Sequence, residues 1–193
     1  MQEAMELKIR QEQDRAAAIS DEAAALDSRP LKPFLGYADL PSGPALTADQ
    51  ILGMVQALAG GLRTADDFEP ASVEKLLGLK LPPDADNDRR GVAGRMGEGR
   101  YSWAVWKLYA GRPGQFVELE LSDGACLPHK TVWDGLVADG FGVFVPPFGD
   151  DPRVMFDKKV APSLGLYIAA TPDDRDAPTC FTAVSFELDR IDG

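Results

Sequence analysis

Residues 100–141 read RYSWAVWKLYAGRPGQFVELELSDGACLPHKTVWDGLVADGF. Tyr101, Trp103, Val105 and Tyr109 alternate with Ala104, Trp106 and Leu108, the period-two pattern of a strand. Gly111-Arg112-Pro113-Gly114 forms a turn, and the chain returns with Val117, Leu119 and Leu121 on one side and Phe116, Glu118 and Glu120 on the other. That alternation predicts an antiparallel sheet with one wet face. Ser122-Asp123-Gly124 then turns the chain into Cys126. Pro128 opens a helix with a stripe of Val132, Trp133, Leu136 and Val137, and Gly140 closes it. A hairpin, a cysteine and a short amphipathic helix are thus the frame to which the rest of the chain attaches.

Upstream, residues 1–30 are charged and helix-prone with only a broken apolar stripe, which predicts a helical extension or linker. Residues 31–46 are a Pro-rich lead-in, with Phe34, Leu35 and Tyr37 lying across the domain surface. A single α+β domain is expected over 47–193. Thr47-Ala48-Asp49-Gln50 matches a capping box, and Ile51, Val55, Leu58 and Leu62 follow at helical spacing. A second helix starts at Pro70, buries Val73, Leu76 and Leu77, and ends at Gly78. Residues 82–99, PPDADNDRRGVAGRMGEG, read as a long loop. Downstream of the frame, Phe141–Val145, Arg153–Phe156, Leu164–Ala170 and Cys180–Leu188 read as four further strands. The expected fold is an antiparallel sheet of about six strands packed against two N-terminal helices and one mid-chain helix, with one disulfide.

The chain has 193 residues, 45% of them hydrophobic, enough for one substantial core. Its formal charge of −11 argues against binding a phosphate backbone or an anionic membrane surface. It suits a basic partner, and equally it serves solubility. The N-terminal MQEAMELKIRQEQD lacks the apolar core of a signal peptide. Two origins stay open, a cytoplasmic protein or one whose targeting segment precedes Met1. The two cysteines, Cys126 and Cys180, fit a disulfide, which the chain-entropy argument values at about 4 kcal/mol. Two buried free thiols are the alternative.

No constellation of residues here makes a convincing active site. His129 stands near Cys126, but a nucleophilic pair also needs an orienting third group. Asp84, Asp86 and Asp88 match the first ligand positions of a calcium loop, yet Arg89 stands where glycine is required and Arg95 where the bidentate glutamate belongs. Gly91, Gly94, Gly97 and Gly99 lack the Gly-Lys-Ser/Thr ending and the strand-to-helix setting of a phosphate loop. Asp66, Asp67, Glu69, Asp150, Asp151, Asp173, Asp174 and Asp176 are loop carboxylates with no apolar pocket evident beside them, as a glycosidase pair would need. No metal and no cofactor are expected.

The order of two helices, Leu77-Gly78-Leu79, the glycine-rich loop, the YSWAVWKLY hairpin, CLPHKTVWDGLVADGF and a closing cysteine strand resembles small envelope proteins of Gram-negative bacteria. In particular, residues 45–190 resemble periplasmic immunity proteins, which bind and inhibit antibacterial effectors delivered by secretion systems. The resemblance implies a non-catalytic inhibitor, tethered on the periplasmic side, that plugs the active site of a basic toxin. The contacts expected for it are the acidic residues Asp84, Asp86, Asp88, Asp150 and Asp151 and the hairpin aromatics Tyr101, Trp103 and Tyr109. A structural or adaptor lipoprotein of the envelope is the alternative, and a hydrolase using loop carboxylates is the third reading.

Overall fold

The computed structural model describes residues 40–83, 89–107, 113–146 and 152–191, all within one compact unit, Ala38–Gly193. Helix α1, Ala48–Gly61, begins at the capping box: Thr47 Oγ1 accepts the Gln50 N–H at 3.2 Å, and Gln50 Oε1 accepts the Thr47 N–H at 2.8 Å. Ile51, Val55, Leu58 and Ala59 form its buried stripe. A 3-10 turn at Ala65–Phe68 carries Phe68 into the core. Helix α2, Pro70–Leu77, starts on proline and stops at Gly78, whose φ of 65° is the left-handed conformation that glycine adopts without strain. The Glu74 carboxylate accepts the Leu81 N–H at 2.9 Å and lies 3.8 Å from Arg90, so the helix is tied to the first strand beyond it.

The strands are β1, Arg90–Met96; β2, Gly99–Trp106; β3, Phe116–Ser122; β4, Leu127–Pro128; β5, Gly142–Phe144; β6, Val154–Ala161; β7, Leu164–Pro172; and β8, Cys180–Arg190. They make one antiparallel sheet in the order β1-β2-β3-β8-β7-β6-β5, with β4 paired to β8. Eight strands replace the six expected because residues 90–96 of the supposed 82–99 loop form β1 and because the two-residue β4 pairs with β8. Gly91 and Gly94 mark close packing, not loop: a Cβ at Gly91 would lie 2.5 Å from the Trp103 carbonyl oxygen, and one at Gly94 2.5 Å from the Pro44 carbonyl oxygen. The outer edge of β1 is covered by the strap that precedes α1. Ser42 bridges Ala93 and Leu46 bridges Met96, with Leu46 N–H donating to the Arg95 carbonyl at 2.9 Å.

Helix α3, His129–Ala138, leaves β4 at the disulfide. Cys126 and Cys180 are bonded with Cα atoms 5.6 Å apart, and His129 N–H donates to the Thr179 carbonyl at 3.0 Å. Val132 and Leu136 are buried, but Val137, expected in the stripe, is 43% exposed. A ten-residue helix, fewer than three turns, has a narrow buried stripe only, and Val137 falls beyond it. The inner side chains of the sheet join those of the three helices in one contiguous core.

Candidate functional site

Alternation along paired strands gives the sheet two chemically distinct faces. On the inner face Trp103 sits between Val92 and Leu119, and Tyr101 between Gly94 and Leu121. Both aromatics are buried, Trp103 to 0% exposure. The expectation that Tyr101 and Trp103 form a contact surface is therefore corrected: they are core. Burial pushes the Tyr101 phenol up, so it stays neutral, and its Oη donates to the Pro44 carbonyl at 2.7 Å, fastening the strap to the sheet. The Trp103 indole N–H finds no acceptor among the described residues, a small cost that its apolar burial outweighs. Asp84, Asp86, Asp88, Tyr109, Asp150 and Asp151 lie outside the described residues, as do Phe34, Leu35 and Tyr37.

The opposite face carries a second set of aromatics and acids. Trp106 stands directly across from Phe116, and the two rings meet edge to face with centroids 4.8 Å apart. One row along β3 is Glu118, between Ala104 and Ser185; the next is Glu120, between Ser102 and Ala183. Glu120 is exposed and Glu118 is half-buried. Burial and the neighbouring Glu120 charge push the Glu118 carboxyl up to about 7, against an opposing pull from Arg89. Ala104, Ala169, Ala183 and Ser185, the neighbours of Glu118 and Glu120 on this face, are small.

These residues were within reach of the sequence. Phe116, Glu118 and Glu120 already announce the wet face of the return strand, and a hairpin register that places Trp106 opposite Phe116 assigns the outward tryptophan. Tyr101 and Trp103 lie on the strand's other side.

The remaining candidate groups are accounted for structurally. Cys126 is spent in the disulfide, and the His129 ring lies 4.6 Å from Phe181 and 5.5 Å from Trp133, centroid to centroid. Asp173 accepts from Thr179 Oγ1 at 2.5 Å and from the Cys180 and Thr179 N–H groups at 3.0 and 2.9 Å, which hold its carboxyl well below the usual range. Asp174 closes its own turn by accepting the Asp176 and Ala177 N–H groups. Asp67 is drawn below its ordinary value because Thr64 and two backbone N–H groups outweigh its burial. These carboxylates build turns. Among the described residues no group of three or more His, Cys, Asp or Glu side chains is placed to hold a metal, and no helix is long and apolar enough to cross a membrane.

No protein-family model matches the chain, and no curated protein or solved structure matches it either. The functional reading therefore rests on its own residues.

Proposed function

We propose that this chain is a non-catalytic, acidic binding protein that takes a basic protein partner on the outer sheet face. We further propose that it serves as an immunity protein, inhibiting a basic antibacterial effector on the periplasmic side of a Gram-negative envelope. One observation carries the reading: the Trp106–Phe116 pair and the Glu118–Glu120 carboxylates share the sheet face opposite the helices. Aromatic anchors beside charge are the composition of interface hot spots. A net charge of −11 favours encounter with a basic surface. The Cys126–Cys180 bond suits an oxidising compartment.

Glu118 gives the reading a pH signature. A partner lysine or arginine placed against it favours the ionised form, so docking releases a proton near neutrality and strengthens as pH rises toward 8. The test is co-expression with the basic product of the adjacent gene. The expected result is a stable complex in which the effector's activity is inhibited. An adjacent basic effector that neither co-purifies nor loses activity removes the immunity reading.

A further inference from the structure

At one end of the outer face, where the strap meets the β1–β2 turn, lies a cavity of about 560 Å³ lined by Arg95, Arg100, Glu98, Asp123, Ser42 and Gly94, among others. Arg95 and Arg100 face each other directly across the two strands on the same side of the sheet. Like charges directly opposite on paired strands are destabilising. Two carboxylates line the same cavity. Yet among the described residues none of these four side chains makes an ion pair or a hydrogen bond.

The charges are also ordered in space. Arg95 and Arg100 occupy the second-last paired row of the hairpin. Glu98 lies beyond that row in the turn, and Asp123 lies just past Ser122, the β3 partner of Arg100. All four charged side chains are exposed, and along the strands the acids stand about one to two residues from the arginine row, or ~3–7 Å. The wall is fixed: Gly43 N–H donates to the Ala93 carbonyl at 2.7 Å, and Tyr101 holds Pro44.

We propose that this cavity binds a small zwitterion of amino-acid or dipeptide size, its carboxylate between Arg95 and Arg100 and its ammonium against Glu98 and Asp123. Guanidinium forks match a carboxylate in geometry as well as charge, and a carboxylate between them removes their mutual repulsion. A simple anion leaves the two acids without a counter-charge, and a simple cation leaves the arginine pair without one. Only a ligand bearing both charges satisfies the whole lining. The site does not depend on the partner reading above.

The test is a titration of the full chain followed by NMR, reading the arginine side-chain signals. Glycylglycine is the probe; acetate and methylammonium are added separately as single-charge controls. Glycylglycine is expected to bind saturably, with each control weaker by about tenfold. Arg95→Gln and Asp123→Asn are each expected to weaken it by about tenfold or more with an unchanged melting temperature. Asp123 has a φ of 55°, which asparagine tolerates, so its variant keeps the turn. Absence of saturable binding overturns the proposal. So does acetate binding as tightly as the dipeptide, or either variant binding like the unmodified chain.

Discussion

The two faces of one sheet differ in how their aromatics are used. On the inner face Trp103 and Tyr101 fill the core under the helices, with hydrogen bonding only to the strap. On the outer face Trp106 is half-buried against Phe116, beside Glu118 and Glu120. The four residues Trp103 to Trp106 thus hold one tryptophan buried in the core and another on the face where the partner is proposed to dock. A sheet lets neighbouring positions serve opposite purposes because its side-chain period is two.

The largest effect that can break this comparison is Trp103→Ala. Truncating a fully buried indole is expected to cost about 3–5 kcal/mol, read as a fall in the denaturant midpoint. Trp106→Ala is expected to cost about 1 kcal/mol. Equal losses at the two positions would erase the distinction. Replacing Cys126 and Cys180 together by serine is expected to cost about 2–4 kcal/mol, because β4 and the start of α3 lose their tie to β8. Mass measurement with and without reductant checks the bond itself.

Gly94→Ala tests the reading of β1 as a close-packed edge. Its Cβ would lie 2.5 Å from the Pro44 carbonyl oxygen, and the expected loss is about 1–3 kcal/mol in the same unfolding assay. The smallest effect is the pH dependence at Glu118. Its folded value lies above the ordinary 4.5, at about 7. Its contribution to stability is therefore fully present below about pH 4 and lost as pH rises through about 7. Glu118→Gln should match the unmodified chain at pH 4 and exceed it at pH 8 by ~1 kcal/mol, a figure reduced for partial exposure. Melting curves across that range check it.

Much of the fold was legible because local chemistry and global pattern agreed. The Thr47–Gln50 capping box, Pro70 and Gly78 bracket the helices they were expected to bracket. The hairpin and the α3 start were readable from alternation and turn residues, and the disulfide from the presence of two cysteines, with two free thiols as the alternative that the bond excludes. Strand β1 was not, since Gly91 and Gly94 carry the usual composition of a loop. Their reason is tertiary: the strap and the Trp103 backbone press against them, and no local signal records that contact. The candidate site was half legible. Alternation says which residues share a face, but it does not say which face the helices cover. For β2 that answer comes from β3, whose Glu118 and Glu120 cannot all be buried without partners. The acids of residues 84–88 and 150–151 drew attention as a charge pattern, whereas the carboxylates on β3 sit within a strand and carry no motif.

The central claim is that the outer face meets a basic partner. The most direct measurement is calorimetric binding of the proposed basic effector, sought as the product of a neighbouring gene, to the unmodified chain, to Glu120→Lys and to Asp134→Lys on α3. Both substituted positions are exposed, so stability should change by no more than about 0.5 kcal/mol. The account predicts that Glu120→Lys weakens binding about tenfold or more while Asp134→Lys leaves it nearly unchanged. Equal affinities for all three chains, or a loss confined to Asp134→Lys, would contradict it.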